Sequence, residues 1–313
     1  MHFTYLNPTK SAVFKDRFVT KVGETIVPFE KGRNGEVGLI GLPSSKSSIS
    51  LSMAANAPES IRKALNSFST YSATMQHDFR DERIVDFGDV PIHPTSVSDT
   101  IDRLHLSIQE MLQIDACNRY IMLGGDHGIS YPSIHAFQKK YGTIGVIQWD
   151  AHHDVRNLED GGRTNGTPFR SLLEEGIIKG EHLVQVGIRN YSNAEAYDQY
   201  ANEKGIHVYM MEDIEEKGIL PIIEKEVERL SSEVDFIYLS VDMDSVDQAH
   251  APGCPAIGPG GFTSRELLSS IKKAAEFPKT RAMDIVEIDP SQDVRDMTSR
   301  LAAHVMMKFM YKA

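Results

Sequence analysis

Cysteine and long apolar runs are both scarce in this sequence. Two cysteines, Cys117 and Cys254, stand far apart in 313 residues, which excludes a disulfide framework. No apolar run approaches the ~18 residues that a membrane-spanning helix needs. The first residues lack the basic start and apolar stretch of a signal peptide. The sequence therefore predicts a cytoplasmic protein with free thiols and no membrane partner.

Basic residues are outnumbered by acidic ones. Lysine and arginine total 33 and aspartate and glutamate total 44, which gives a formal net charge of −11. An acidic chain gains nothing from a phosphate backbone, so nucleic acid is not expected as a partner. Hydrophobic residues make up 41% and charged residues 25% of the chain, and these values exclude a disordered chain, a collagen-like fibre and a coiled coil.

Short apolar runs alternate with amphipathic stretches along most of the chain. Runs such as 144–149 and 236–241 are typical of strands buried on both faces, and residues 101–114 have helical spacing. This alternation predicts one three-layer α/β/α domain, residues 36–313, with a mainly parallel central sheet. Residues 1–35 are polar and irregular in pattern, and we predict that they form an N-terminal arm.

Three polar clusters each follow a predicted strand directly. They are Gly124–His127, Asp150–Asp154 and Asp242–Asp244. Because ligands bind outside the carboxyl ends of the strands in an open parallel sheet, we expect the clusters to meet in one crevice. In an extended chain, alternate residues point to the same side. Asp150, His152 and Asp154 would then share one side, as would the two aspartates of the third cluster.

The clusters together offer four carboxylates and two imidazoles. These belong to Asp150, Asp154, Asp242, Asp244, His127 and His152. Four carboxylates brought together without cations would repel one another, and two divalent ions would balance their charge. A mixed nitrogen and oxygen set suits Mn²⁺ and also Zn²⁺, Fe²⁺ or Ni²⁺, while the absence of thiolates argues against structural zinc. The sequence therefore predicts a two-metal site.

Each cluster also has a simpler interpretation. An aspartate at a strand end is often the N-cap of the next helix, which would apply to Asp126, Asp150 or Asp242 taken alone. His127 alone could be an ordinary polar packing residue. Caps do not explain two runs with shared sides and a histidine, all at strand ends, so metal binding is the interpretation that covers the clusters jointly.

The three motifs resemble those of the ureohydrolases, a family that comprises arginases, agmatinases and formimidoylglutamases. The family's marks are a GGDH turn, a D-A-H-x-D run and an S-x-D-x-D-x-x-D run, found here in that order at Gly124–His127, Asp150–Asp154 and Ser240–Asp247. The resemblance extends from residue 36 to the C-terminal helix and implies an arginase-like fold. It also implies two Mn²⁺ ions per subunit with a bridging hydroxide, held by His127, Asp150, His152, Asp154, Asp242 and Asp244.

The resemblance further implies the reaction. Glu287 matches a glutamate that faces the substrate's guanidinium or amidinium, and Asp154 would stabilise the tetrahedral intermediate. Residues 151–157, 165–170 and 251–261 look most like the bacterial formimidoylglutamases. These enzymes hydrolyse the linear amidine N-formimino-L-glutamate to L-glutamate and formamide in histidine degradation. We expect the same small-molecule substrate here, and a homo-oligomer.

Two further residues bear on the substrate. Arg156 stands where arginases have an asparagine that binds the amino-acid end of the substrate, and a guanidinium can grip a carboxylate through two hydrogen bonds. A structural ion pair is the alternative role of Arg156, and Arg163 and Arg189 are weaker candidates. Asn165 stands where arginases and agmatinases commonly have a histidine thought to shuttle protons. An amide cannot carry out that shuttle. We expect Asn165 to be one of the substrate-binding residues.

Two other functions fit parts of the pattern. An agmatinase or another guanidino-compound ureohydrolase would share all three motifs, but agmatine has no carboxylate for Arg156 to bind. A metal-dependent phosphoesterase also uses D-x-H and GDH-like turns. It would place the D-x-H run before its other ligands, whereas here His127 precedes Asp150. The order of the motifs favours a ureohydrolase.

Overall fold

The computed structural model describes residues 16–311 of the chain. Within them, eleven strands are β1 (Ile26–Pro28), β2 (Gly35–Gly41), β3 (Tyr71–Ser72), β4 (His77–Asp78), β5 (Ile84–Asp89), β6 (Cys117–Leu123), β7 (Ile144–Trp149), β8 (Leu183–Ile188), β9 (His207–Met210), β10 (Phe236–Asp242) and β11 (Thr280–Val286). Nine of them form one sheet in the order β1-β5-β2-β6-β11-β10-β7-β8-β9, with every neighbouring pair parallel. Strands β3 and β4 form a separate antiparallel hairpin.

The same residues contain nine α-helices. They are α1 (Ala57–Leu65), α2 (Val97–Ile114), α3 (Ser130–Tyr141), α4 (Pro168–Glu174), α5 (Glu195–Lys204), α6 (Met211–Lys217), α7 (Ile219–Glu233), α8 (Ser264–Ala275) and α9 (Met297–Met310). None of the helices in the described part of the chain is long and apolar enough to cross a membrane. Both cysteines are buried and neither forms a disulfide.

The helices cover both faces of the sheet. Helices α1 and α6–α9 contribute to an apolar core on one face, and α2–α5 contribute to a second core on the other. Consecutive residues of β7 show why two cores form, because Ile147 joins the first core and Val146 joins the second. Successive side chains of a strand point to opposite faces, so a continuous apolar run fills both. This arrangement confirms the predicted three-layer α/β/α fold.

The N-terminal region differs in part from its sequence interpretation. Residues 1–15 and 312–313 lie outside the described residues. The expectation of irregular structure is wrong for Ile26–Pro28, which pairs in parallel with Ile84–Asp86 at one edge of the sheet. A three-residue edge strand that ends in proline is too short to show a period in sequence. The division of the chain at residue 35 into arm and catalytic domain stays a prediction.

The centre of the sheet positions the polar clusters. Strands β6, β11, β10 and β7 are consecutive neighbours there. Val241 pairs with Trp149 and Asp242 pairs with Val286, so the carboxyl ends of β7, β10 and β11 lie at one level. The residues that follow these strands therefore enter a single crevice at one edge of the sheet.

Candidate active site

The turn after β6 is built on close backbone approach. A Cβ on Gly125 would overlap the Ser44 carbonyl oxygen, and one on Gly124 would lie 2.7 Å from the Ile285 carbonyl oxygen. The Gly125 carbonyl in turn accepts a hydrogen bond of 2.9 Å from the Glu287 N–H. The two glycines therefore let the His127 turn lie directly against the end of β11.

His127 lies at the centre of the first group of polar side chains. Its Nδ1 is 3.1 Å from Asp150 Oδ2, 2.9 Å from Asp154 Oδ2 and 3.1 Å from Asp242 Oδ2. The ring is 1% exposed. These four residues offer ligand atoms that all lie within 4.8 Å of one another, a spacing that could hold a metal ion.

A second group shares a carboxylate with the first. His152 Nδ1 lies 3.1 Å from Asp244 Oδ2 and 3.5 Å from Asp150 Oδ1. These three residues also form a set that could hold a metal ion. Asp150 thus presents one oxygen to each group. The structure brings all six predicted ligand side chains together as two adjoining sites.

The local backbone differs from the extended runs assumed from sequence. Asp154 has a left-handed φ of 51°, and Asp244 lies in a short 3₁₀ turn, Met243–Ser245. The expectation that extended backbone makes these side chains converge is therefore wrong, although they do converge. Asp242 also caps that turn, since its Oδ1 accepts a 2.8 Å hydrogen bond from the Asp244 N–H while Oδ2 faces His127. Asp242 therefore caps the turn with one carboxylate oxygen and faces the candidate metal site with the other.

The electrostatics of the two groups match a site for cations. Burial, together with the charge of Asp150, raises the pKa of Asp154 to about 6. Burial and the charges of Asp244 and Asp150 raise the pKa of Asp242 well above its usual range. His127 Nδ1 is buried without a hydrogen-bond partner, although three carboxylates surround it. A donor set with an unpartnered imidazole nitrogen and crowded carboxylates fits divalent metal ions.

Glu287 lies beside the first group with one oxygen held and the other free. Its Oε1 accepts hydrogen bonds from the His127 N–H at 2.8 Å and from Asn165 Nδ2 at 3.0 Å. No group among residues 16–311 donates a hydrogen bond to Oε2. Burial and the nearby carboxylate of Asp126 raise the pKa of Glu287 to about 8. Like Asp154, Glu287 has a left-handed φ, here 59°, which is uncommon outside glycine and is typical of functional positions.

A cavity of about 400 Å³ opens above the two groups. Its lining includes most of the residues singled out from sequence, namely His152, Asp154, Arg156, Asn165, Asp242, Asp244 and Glu287. The lining also includes residues that the sequence interpretation missed, among them Ser192, Asn193 and Tyr197. Ser192 and Asn193 lie in the polar turn after β8, and Tyr197 lies in the first turn of α5. None of the three belongs to a motif that would have singled it out in the sequence.

The structure separates the three candidate arginines. Arg156 lies on the rim of the cavity, over the Tyr197 ring at 5.9 Å, and forms no salt bridge with any described carboxylate. Arg163 pairs with Glu175. Arg189 is buried and donates to backbone carbonyls, at 2.7 Å to Asp244. Arg163 and Arg189 are thus occupied by the protein, which leaves Arg156 as the candidate for an anionic ligand.

Polar residues that support the site were also missed from sequence. Ser47 donates through its N–H and its hydroxyl to Asp126, at 3.0 and 2.6 Å, which ties the loop after β2 to the His127 turn. Gln148 Nε2 donates to Asp150 Oδ2 at 2.6 Å, and Gln185 donates to Gln148 at 2.7 Å. The sequence could have indicated the two glutamines, because each is a polar residue within an otherwise apolar strand.

Comparisons with known proteins agree with this geometry. The profile of the arginase family matches residues 35–311. The chain is 52% identical to the formimidoylglutamase of Halalkalibacterium halodurans over 300 residues, which is 96% of this chain and 94% of that protein. It is 48% identical to the formimidoylglutamase of Bacillus subtilis over 94% of this chain and 92% of that protein.

A solved structure gives the same result. The crystal structure of formimidoylglutamase from Bacillus subtilis superposes with a TM-score of 0.94 and 46% identity, covering 98% of this chain and 95% of that one. The family match and the near-complete coverage exclude the phosphoesterase alternative. The chain belongs to the arginase family.

Proposed function

We propose that this protein is a formimidoylglutamase, which hydrolyses N-formimino-L-glutamate with water to L-glutamate and formamide. Two relatives with that name match the chain over nearly its full length. The observation that carries the substrate assignment is Arg156, a guanidinium on the rim of the cavity without a described carboxylate partner. A substrate with two carboxylates supplies the missing anion. The reaction would serve histidine degradation.

We propose that the site holds two Mn²⁺ ions. His127, Asp150, Asp154 and Asp242 would hold one ion, and Asp150, His152 and Asp244 the other. Divalent cations in such a site make hydroxide available near neutral pH, by lowering the pKa of water to ~7 in favourable cases. The carboxylate charges of Asp150, Asp154, Asp242 and Asp244 balance those of the two ions.

Glu287 would bind the amidinium of the substrate. Its Oε1 is already held by the His127 N–H and by Asn165, so Oε2 is the atom that can accept hydrogen bonds from a cationic N–C–N group. The two anchoring bonds fix the direction of the carboxylate before substrate arrives. This arrangement orients the amidine carbon above the two metal groups and lowers the cost of ordering the side chain.

Asp154 would act on the same carbon. Its carboxylate belongs to the first metal group and also lines the cavity. Addition of a hydroxide oxygen makes this carbon tetrahedral and gives it a new O–H group, and a fixed carboxylate can accept a hydrogen bond from that group. The C–N bond to the glutamate nitrogen then breaks, the departing nitrogen takes up the proton of that hydroxyl group, and the C–O bond becomes the carbonyl of formamide.

Asn165 would position Glu287, and this role does not require a strong hydrogen bond between Asn165 and the substrate. One end of its amide donates to Glu287 Oε1, and the other accepts from the Ile49 N–H at 3.0 Å. At the position where arginases and agmatinases commonly have the proton-shuttling histidine, this chain has an amide that holds Glu287 in place. We predict that Asn165 contributes to substrate binding mainly through Glu287.

An agmatinase is the competing function within the family. Agmatine is cationic at one end and amidine-like at the other, so Arg156 would repel it. A test uses purified, Mn²⁺-loaded protein supplied with N-formimino-L-glutamate, agmatine or L-arginine. We expect formamide and glutamate in equal amounts from the first substrate and little urea from the other two. Faster release of urea from agmatine would replace this proposal by the agmatinase one.

We further propose a cytoplasmic enzyme that assembles as a homo-oligomer. Two buried cysteines without a disulfide agree with a reducing compartment. Sedimentation of the full chain would measure the number of subunits, and fractionation of cells that produce it would test the compartment.

A further inference from the structure

Asp284 is a fully buried carboxylate without a cation beside it. It lies within β11, in the apolar run Ala282–Val286, and is 0% exposed. Three hydroxyls donate to it, from Ser240 to Oδ1 at 2.8 Å and from Ser130 and Tyr238 to Oδ2 at 2.7 and 2.9 Å. No described lysine, arginine or histidine forms a salt bridge with it. Moving a charge from water into the protein interior costs free energy, so a buried carboxylate that is retained there is expected to have a specific role.

Ser240 connects this carboxylate to the candidate metal site. Its Oγ is 2.8 Å from Asp284 Oδ1 and 2.9 Å from His127 Nε2. A hydroxyl has a single proton, and a carboxylate can only accept, so that proton lies on the Asp284 side. Ser240 must then accept a hydrogen bond from His127, which places the imidazole proton on Nε2. The other ring nitrogen, Nδ1, is left with its lone pair toward Asp150, Asp154 and Asp242.

We propose that Asp284, acting through Ser240, fixes His127 in the Nε2-protonated tautomer and so prepares Nδ1 to bind metal. Ser240 and Asp284 are positioning residues, because neither lies within reach of a substrate in the cavity. The inference rests on the metal-binding part of the proposed function. A histidine ligand whose other nitrogen is held by a hydrogen-bonded partner binds metal more tightly, and loss of such a partner typically costs about 10- to 100-fold in affinity.

The rival explanation is that Asp284 only satisfies three buried hydroxyls. In that case all three hydroxyls would matter equally, and only for stability. Tyr238 offers a matched control, because its hydroxyl donates to the same carboxylate but has no contact with His127. Tyr238→Phe removes one donor to Asp284 and leaves the link through Ser240 intact.

The test compares Mn²⁺ binding by wild type, Ser240→Ala and Tyr238→Phe in titrations of metal-free protein. Ser240→Ala should weaken one of the two Mn²⁺ equivalents by about 10- to 100-fold and change the other by less than about threefold. The second equivalent is spared because His152 and Asp244 do not contact Ser240. Tyr238→Phe should change neither equivalent by more than about threefold, although its melting temperature falls.

Asp284→Asn removes the charge and replaces one accepting oxygen by an N–H₂ group. With the nitrogen toward Ser240, the hydroxyl proton would point at His127 Nε2 and favour the wrong tautomer; with the oxygen toward Ser240, the hydrogen bond would remain but would lose its charge. This variant should therefore bind the first Mn²⁺ more weakly than wild type. If Asp284→Asn does not fold, Ser240→Ala and Tyr238→Phe still decide the question.

A second measurement follows the proton itself. In the Zn²⁺-loaded, ¹⁵N-labelled protein, the His127 Nε2–H should resist exchange with solvent in wild type and in Tyr238→Phe, and should exchange faster in Ser240→Ala. Equal Mn²⁺ affinities in wild type and Ser240→Ala would overturn the inference, as would equal weakening by Tyr238→Phe. If wild type binds no Mn²⁺, the proposed function itself fails, which is a different result.

Discussion

Asn165 donates a 3.0 Å hydrogen bond to Glu287 Oε1, across 122 positions of sequence. Its side-chain carbonyl accepts from the Ile49 N–H, so one amide links the loop after β2 to the carboxylate that faces the cavity. Arginases and agmatinases commonly have a histidine at this place. In this chain the position holds Glu287 in a fixed orientation.

Asn165→Ala should therefore impair catalysis through Glu287. A hydrogen bond to a charged group contributes about 1.5–3 kcal/mol, so kcat/KM should fall by about tenfold or more while the Mn²⁺ content is unchanged. Steady-state kinetics and metal analysis on the same preparation would measure both. Asn118→Ala is the control, because that side chain donates to Glu36 at the amino end of β6, the opposite end of the strand from the site. Unchanged kinetics in Asn165→Ala would show that its amide does not position Glu287.

Glu287→Gln tests the amidinium contact directly. Burial raises the pKa of Glu287 to about 8 in the protein alone, and a bound amidinium would favour its charged form. The variant keeps the shape of the side chain and removes that charge, so a charge-assisted bond worth about 1.5–3 kcal/mol is lost and kcat/KM should fall about tenfold or more. Both Mn²⁺ equivalents should remain. If the variant loses metal instead, Glu287 supports the metal site and its assignment to the substrate is wrong.

Asp244→Ala tests the second metal group. Removing this carboxylate leaves His152 and a shared Asp150 as ligands, so the protein should retain less than two equivalents of metal by elemental analysis. Asp247→Asn is a matched control from the same sequence motif, since Asp247 instead accepts from the N–H groups of Ala249 and Gly260. Two equivalents retained in Asp244→Ala would contradict the assignment.

Arg156→Ala tests the preference for an acidic substrate. Loss of a bidentate carboxylate contact should raise KM for N-formimino-L-glutamate by about one to two orders of magnitude. Turnover of an amidine without a carboxylate should change much less. Arg163→Ala is the control, because Arg163 is already paired with Glu175 and should leave KM within about threefold. Equal harm to both substrates would favour the agmatinase alternative.

Glu226 gives a pH-dependent contribution to stability away from the active site. This carboxylate on α7 is buried, and burial alone would raise its pKa, but hydrogen bonds from Tyr209 and Arg229 outweigh that effect and lower the pKa of Glu226. A lowered pKa in the folded state stabilises the protein above the unfolded value of about 4.3, and this contribution is lost as the pH falls through the folded value.

Glu226→Gln should therefore destabilise the metal-free protein by about 1–3 kcal/mol at pH 7. The difference from wild type should shrink as the pH is lowered below about 4.3. Urea unfolding of both proteins at several pH values would measure it. A difference that stays constant or grows toward acid pH would show that the charge of Glu226 is not what stabilises the fold.

The sequence by itself determined the sheet and the set of candidate ligands at its edge. Short runs such as 144–149, apolar apart from Gln148, are typical of strands buried on both faces, and the structure has β7 at those bounds. The polar residues that follow such strands must lie at one edge of a parallel sheet. For this reason the six candidate ligands, from His127 to Asp244, could be named together before any geometry was known.

Only the tertiary structure decided how those residues are arranged. The position of Asp150 between the two groups depends on the register of β7 against β10. The direction of the Asp154 side chain depends on a left-handed φ, which no local sequence pattern predicts. The contacts of Asn165 with Glu287 and of Ser240 with Asp284 join residues far apart in sequence. Local patterns reflect the periodicity of near neighbours, whereas hydrogen bonds between strand ends are set by how the whole sheet packs.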